Sequence, residues 1–459
     1  MDRSDVLIVG AGFSRAVSKY MPLTDELGAL AIQQADLFSD PRVPRRLFGP
    51  ALTFESWMSL LAEDQPHLSE GQNLQNRALF VTVTEAIVSG LGSCEASVLY
   101  NPIPVWLSDL LKLLHHTRAT VVSLNYDTLI EVAVASLDLP GLLGGERTTP
   151  RDILNDTPPL PNVGTRFGGP INPTFRLLKL HGSLDWWAAP KDPSGASVNR
   201  TELRSAFGHP EPITEEDRRG IPGWEPFIIP PAAAKSSYYQ NPFTRNLWKT
   251  AFDALRTAEQ VSLIGYSLPP TDLVMGGMLE SAIRDRNVPI DLVNLDTEDL
   301  RKRLTDWGVE MISTTEDPDC IATFTAAYRD RVATDYVCRL AELDVEQNRD
   351  TAILVARQSP QIGQTGSRVV QIVPSHGGAV TLIPFGPSVP MHEATAVQWG
   401  TDGQPSGQTY PTLGDLITAV RGADRLVIRR GEDEETIIDS RYEFRETGAS
   451  AKWIEFDSI

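Results

Sequence analysis

Two residues able to handle a proton or a hydroxyl group follow short apolar runs in this chain. Asn125 lies in Ser123-Leu124-Asn125-Tyr126-Asp127, after the run Thr120–Leu124, and His181 lies in Leu180-His181-Gly182-Ser183, after Leu177–Leu180. A histidine of near-neutral pKa can accept a proton from water or a sugar hydroxyl. An asparagine amide offers donors and an acceptor without adding charge. Three further runs end comparably. Val6–Val9 leads into Gly10-Ala11-Gly12-Phe13-Ser14, Val261–Ile264 leads into Gly265-Tyr266-Ser267-Leu268, and Asp291–Leu295 carries Asn294 beside Asp296. Glycines let a backbone approach a pyrophosphate, and amides at a helix N-terminus stabilise an anion. Each motif has a plainer explanation by itself. Gly10–Gly12 suits a bare turn, Asp127 suits a cap for a helix starting near Thr128, and a lone histidine is more often structural. Taken in succession, the run ends point to one ligand-binding edge.

Other chemistries are disfavoured. The third glycine of a G-x-G-x-x-G dehydrogenase fingerprint is missing, because Arg15 stands there. No G-x-x-x-x-G-K-[ST] segment occurs, which argues against an ATPase. Cys94, Cys320 and Cys338 form no C-x-x-C pair. His115 and His116 are adjacent and cannot face one ion from a helix. The expectation is a protein without metal.

The apolar runs are continuous rather than alternating, as in strands buried on both faces. A weaker run at Val309–Ile312 makes a sixth. Helical patterns lie between them, over Pro102–His116, Thr128–Leu137 and Pro242–Thr257. This alternation predicts an α/β fold, a doubly wound, Rossmann-like parallel six-stranded sheet, with its ligand outside the carboxyl ends of the strands. Residues 30–118 read as a helical insertion, and residues 186–241, rich in Pro, Gly and Ser, as an irregular lid or insertion. A long helix over Pro318–Glu346 is expected to close this first domain, 1–345. Residues 346–367 read as a linker. Residues 368–459 read as a small α+β module, with strands at Arg368–Val373, Ala379–Pro384, Arg425–Arg429, Thr436–Asp439 and Lys452–Phe456 and a helix near Thr412–Arg421.

The 459 residues suffice for two or three domains, and a hydrophobic content of 41% with 22% charged residues is ordinary for a globular protein. No unbroken apolar run of about 18 residues occurs, so no membrane span is expected. The N-terminus lacks a signal-peptide layout, and the cysteines form no disulfide framework, so the expected location is a reducing cytoplasm. A net charge of −19 argues against direct, non-specific nucleic-acid binding.

The series GAGFS, SLNYD, LHGS, IGYSL, VNLD resembles the sirtuin family over residues 5–315, and in particular the sirtuin-like NADase domains of bacterial anti-phage defence proteins. The resemblance implies NAD+ as substrate. It places Gly10, Ala11, Gly12, Phe13 and Ser14 along the pyrophosphate, and Asn125 on the nicotinamide ribose and the attacking water. It assigns His181 as general base, Asp127 to the nicotinamide end or to holding its loop, Gly265 and Ser267 to phosphate contacts, and Asn294 to the adenosine ribose. Gly12→Val is accordingly expected to obstruct the pyrophosphate. Pro22-Leu23-Thr24-Asp25 occupies the place of the family's G-I-P-D-F-R stretch, so Thr24 and Asp25 join the cofactor contacts, but the Phe and Arg are absent. The zinc ribbon of the deacylases is absent too, since residues 182–264 contain no cysteine. Both losses count against acyl-lysine binding.

The implied activity is hydrolysis of NAD+ to nicotinamide and ADP-ribose, as a regulated effector of anti-phage defence by NAD depletion, or abortive infection. The alternatives are an NAD-dependent protein deacylase and a non-catalytic NAD or ADP-ribose sensor. Expected partners are further copies of the chain, an Argonaute-type or helicase-type protein, or a phage-derived activator.

Overall fold

The computed structural model describes residues 5–49, 51–137, 158, 174–190, 198–201, 205–210, 223–232, 239–284, 286–329 and 331–332. Further along it describes 351–357, 368–374, 380–384, 408–410, 425–430 and 434–439. The chain divides into two compact units, Met1–Phe324 and Thr325–Ile459.

Six parallel strands build the first unit: β1 (Asp5–Val9), β2 (Thr120–Ser123), β3 (Arg176–Lys179), β7 (Gln260–Ile264), β8 (Ile290–Val293) and β9 (Ile312–Thr315). Their order is β3-β2-β1-β7-β8-β9. The chain winds outward from β1 in one direction, then returns to β1's other side, so the strand order reverses between β1 and β7. This is the expected doubly wound sheet, and ligands of such sheets bind at that reversal. β1, β2 and β7 are buried along their whole length, which explains their unbroken apolar runs. The pairing is in register, with Leu7 beside Val121 and Ser262, and Val121 beside Leu177.

The sixth strand is displaced from its expected position. Val309–Ile312 was the apolar signal, yet the strand is Ile312–Thr315, pairing Ile290 with Ile312 and Val293 with Thr315. Val309 sits in the turn and is buried in the core. The strand itself lies at the sheet edge and is half exposed, so its Ser-Thr-Thr sequence carries no apolar run.

Helices cover the sheet: α1 (Ala11–Val17), α2 (Thr24–Gln34), α3 (Phe54–Ala62), α4 (Glu70–Val98), α5 (Val105–Thr117), α6 (Leu129–Ser136), α7 (Pro242–Thr257), α8 (Leu273–Ile283) and α9 (Glu298–Asp306). α7 starts where its sequence dictates. Pro242 occupies the first turn, and Asn241 Oδ1 accepts from the amides of Phe243 (2.9 Å) and Thr244 (3.4 Å). Its Leu247, Ala251 and Leu255 then fall on one buried stripe.

Within 30–118, α2 and α3 pack on α4. α4 has 29 residues and is long and apolar enough to span a membrane by length and composition, although half of its most apolar window is buried inside the molecule. Interspersed Thr, Ser and Gly residues break that stretch, so it holds no unbroken apolar run.

The stretch 186–241 is corrected from irregular to partly ordered. β4 (Gly182–Ala188), β5 (Asn199–Arg200) and β6 (Glu225–Ile228) form a small antiparallel sheet in the order β5-β4-β6. β4 carries the buried Trp186 and Trp187, which a wholly irregular loop would not bury.

The linker reading of 346–367 is also corrected. β10 (Thr351–Arg357) lies inside it and is central in a second sheet. With β11 (Arg368–Pro374), β12 (Val380–Pro384), β13 (Gln408–Tyr410), β14 (Arg425–Arg430) and β15 (Glu434–Asp439), it forms an antiparallel sheet ordered β13-β12-β11-β10-β14-β15. A short apolar run between polar stretches resembles a linker until its partners, β11 and β14, are known. The expected helix at 412–421, the expected strand at 452–456 and most of the helix expected beyond residue 332 lie outside the described residues, as does 358–367.

Candidate functional site at the carboxyl edge of the sheet

The first residue beyond each strand continues the ladder. Gly10 N donates to Ile264 O (3.1 Å), Leu124 N to Val9 O (3.0 Å), Leu180 N to Ser123 O (3.0 Å), Gly265 N to Val293 O (2.8 Å) and Asn294 N to Thr315 O (3.1 Å). The five sequence motifs therefore leave one edge together, in the spatial order LHGS, SLNYD, GAGFS, GYS, VNLD.

At the reversal point, the loops after β1 and β7 meet backbone to backbone. Gly12 N donates to Gly265 O (2.9 Å), and Phe13 N to Gly10 O (2.9 Å). A Cβ on Gly12 would lie 2.7 Å from Gly265 Cα, and one on Gly10 would lie 2.8 Å from Gly265 O. Gly265 has φ +59°, and a Cβ there would lie 2.2 Å from Phe13 N. The glycines are needed so that the two loops can touch. This close approach also occupies the Gly12 and Phe13 amides, which the sequence reading assigned to a pyrophosphate. Ala11 is half-buried in the first turn of α1, and the Phe13 ring is buried edge-on to Trp106, 5.4 Å between centroids.

Asn125 is fastened to this loop. Its Nδ2 donates to Gly10 O (2.8 Å) and to Ser14 Oγ (2.9 Å). Ser14, which is buried, donates in turn to Asp127 Oδ2 (2.6 Å), and Asp127 Oδ1 accepts from Leu129 N (3.3 Å). The directions are forced. Gly10 O and the Asp127 carboxylate only accept, so Ser14 must donate to Asp127 and Asn125 must present its NH2 to both Gly10 and Ser14. Both Nδ2 hydrogens are thereby used. Asn125 Oδ1 has no protein donor among the described residues, which leaves it as the acceptor presented by this loop.

His181 occupies the matching place on the next strand. Ser123 pairs with Lys179, so Asn125 and His181 each stand two residues beyond one paired couple. His181 is buried, its carbonyl accepts from Ile229 N (2.8 Å), and its ring lies 6.3 Å from that of Trp248. Gly182 follows with φ +81°, where a Cβ would sit 2.1 Å from Phe227 O. Only glycine fits that crossing from β3 into β4, which accounts for the His-Gly pair. Tyr126 OH donates to Ile229 O (2.7 Å), joining the Asn125 loop to the same segment.

Beneath these loops lies a buried ionic cluster that sequence reasoning missed. The Lys179 ammonium pairs with Glu131 Oε1 on α6 (3.0 Å) and donates to Tyr126 O (3.2 Å), Asp127 O and Ser183 Oγ (2.7 Å). Burial alone would push this amine toward neutrality. The carboxylates of Glu131, Asp185 and Asp127 outweigh it and hold the amine's pKa above its ordinary value. Burial raises the Glu131 carboxyl, against the attraction of Lys179. Glu95, reaching across from α4, accepts from Thr128 N (2.6 Å) and Thr128 Oγ1 (2.7 Å) at the start of α6. Burial and the nearby Asp127 carboxylate raise its pKa to about 7, despite the Thr128 bonds and Lys179. The cluster thus holds four carboxyl groups around one amine. Its only sequence signals were an acidic residue inside the apolar pattern of α6 and a lysine ending a buried strand.

The remaining expected residues lie elsewhere along the edge. Ser267 is exposed. Asn294 Oδ1 accepts from Leu295 N (3.0 Å), and Thr24 is exposed in the first turn of α2. Asp25 Oδ1 accepts from Phe54 N (2.8 Å), the first amide of α3, so its carboxylate caps that helix. Among the described residues, no group of three or more His, Cys, Asp or Glu side chains is arranged to hold a metal ion.

No protein-family profile and no curated protein matches the chain. Solved structures do match. A structure described under the mechanism and regulation of Sir2 enzymes is 11% identical, covers 72% of this chain and 93% of its own, and superposes with a TM-score of 0.33. A mutant Sir2 described with a p53 peptide and NAD is also 11% identical, with the same coverage and a TM-score of 0.31. At these values the likeness assigns no residue, ligand or reaction to this chain.

Proposed function

We propose that this chain hydrolyses NAD+ to nicotinamide and ADP-ribose at the edge formed by Asn125 and His181. The observation that carries the reading is the locked Asn125 amide. Its donors are held by Gly10 and Ser14, so it offers an acceptor oxygen from the loop that neighbours the His181 loop in register, over the buried Lys179–Glu131 cluster. An acceptor and a negative surrounding suit a reaction in which positive charge develops on a ribose carbon. The bond from ribose C1′ to the pyridinium nitrogen breaks, its electron pair neutralising that nitrogen as nicotinamide leaves. Water oxygen forms the new bond to C1′, and His181 takes the water proton before releasing it to solvent. Asn125 Oδ1 holds the ribose hydroxyl or the water in line. The exposed Ser267 loop and Asn294 bind the rest of the dinucleotide. The motif resemblance supports NAD+ as the substrate, and the missing ribbon and Phe-Arg pair support water over acyl-lysine as the acceptor. It also supports a cytoplasmic, oligomeric effector of anti-phage defence acting through NAD depletion.

The test is incubation of purified protein with NAD+, with and without phage lysate or an acyl-lysine peptide, with chromatography of the products. The expected result is nicotinamide and ADP-ribose in equal amounts, independent of peptide. His181→Ala should lower turnover by about 10²–10⁴-fold while NAD+ still binds by calorimetry. Turnover of His181→Ala at the wild-type rate would overturn the mechanism. Bound, intact NAD+ with no nicotinamide under any condition would favour the sensor reading.

A further inference from the structure

We propose that Lys179 is a positioning residue that holds the Asn125 loop and the His181 loop in mutual register from below. The inference rests on the hydrolase reading above. Lys179 ends β3, two residues before His181, and its side chain turns into the protein, where it is 1% exposed. Its ammonium donates to the carbonyls of Tyr126 and Asp127, the two residues after Asn125. It also donates to Ser183 Oγ (2.7 Å), two residues after His181. Ser183 Oγ donates to Tyr126 O (3.3 Å), and Leu184 N donates to the same carbonyl (2.9 Å), so one peptide of the Asn125 loop is gripped from three directions.

A lone buried ammonium would be costly, but Glu131 of α6 pairs with it at 3.0 Å. This places α6, which begins directly after the Asn125 loop, in the same clamp. A neutral side chain of equal volume would fill the space without fixing two carbonyls and a hydroxyl to one point. Because the tied groups flank Asn125 on one side and His181 on the other, loosening them separates the acceptor from the base. A misplacement of about 1 Å is enough to cost about 10²-fold in rate.

The test compares wild type with the double variant Lys179→Met/Glu131→Gln, which removes the charge pair at nearly constant volume, and with Ser183→Ala, which removes one tie and keeps the pair. Steady-state kinetics on NAD+, thermal melting and amide hydrogen exchange over 123–129 and 180–185 are measured on each full-length protein. The expected outcome for the double variant is kcat lowered about 10²-fold with KM unchanged, and faster exchange in both segments together. Ser183→Ala should show the same pattern at smaller amplitude, and it decides the matter if the double variant does not fold. A folded variant with a lowered melting temperature but wild-type kcat would reduce Lys179 to a structural role and overturn the proposal. If wild type itself releases no nicotinamide, the hydrolase reading fails separately, and hydrogen exchange alone judges the clamp. Exchange faster in both segments then supports it, and unchanged exchange in either overturns it.

Discussion

Asn125 has two donor hydrogens, and both are engaged inside the protein. Removing the amide affects the loop as well as any reaction. Asn125→Ala should lose turnover and also lower stability by about 1 kcal/mol, because Ser14 Oγ loses its donor while Gly10 O keeps only that from Phe13 N. The glycines behave differently from what their motif suggests. Gly12→Val reads from the sequence as an obstruction to pyrophosphate, but its Cβ would meet Gly265 Cα at 2.7 Å. Even Gly12→Ala should cost about 1–3 kcal/mol, seen as a lowered melting temperature without ligand. Ser267→Ala, at an exposed position, should leave melting unchanged and raise KM for NAD+.

Glu95 gives a pH dependence of known sign. Its carboxyl is raised from an ordinary 4.5 to about 7 in the folded protein. The native state therefore holds the proton more tightly than the unfolded state. Stability from this group is greatest at low pH, falls as pH rises from about 4.5 to 7, and is constant above, a change of about 3 kcal/mol. Glu95→Gln carries no titrating proton, so it should gain on wild type as pH rises through this window. Chemical denaturation of both proteins at about pH 5 and pH 7 checks this, and a pH-independent difference would refute it.

At the scale of elements, the edge is built by joints between helices and strand ends. Asp25 takes the Phe54 amide at 2.8 Å and so sets α3 against the start of α2. Asp25→Ala should lower stability by about 1 kcal/mol before any ligand is added, as loss of a helix cap does. A change in NAD+ binding by this variant would thus report the placement of α2 and α3 as much as a direct contact. Glu95 makes the corresponding joint between α4 and α6 at Thr128. In this way the helices of 30–118 reach the candidate site, although none of the five motifs lies on them.

For the whole molecule, the division into Met1–Phe324 and Thr325–Ile459 places all of the candidate residues in the first unit. A polypeptide of residues 1–345 should fold, with far-UV circular dichroism typical of a mixed α/β protein, and retain nicotinamide release. Insolubility of this piece under all conditions would show that the antiparallel sheet is required for folding. Retained folding with altered activation by phage lysate would instead assign that sheet to control.

The sequence by itself determined the sheet and the edge at which its motifs gather. Parallel strands buried on both faces need unbroken apolar runs, and such runs are visible locally in β1, β2, β3 and β7. Their carboxyl ends must share one edge, so Gly10, Asn125, His181, Gly265 and Asn294 could be brought together before any coordinates. It failed where burial and partner came from far along the chain. β9 is a half-exposed edge strand, and β10 gains its meaning only from β11 and β14. Tertiary structure alone decided that Gly12 packs on Gly265, that Asn125 spends both amide hydrogens inside the protein, and that Lys179 and Glu95 reach Glu131 and Thr128. A local pattern records how deeply a residue is buried. It holds no record of which distant charge or carbonyl will meet it, and in the interior that meeting sets both the charge and the direction of each hydrogen bond.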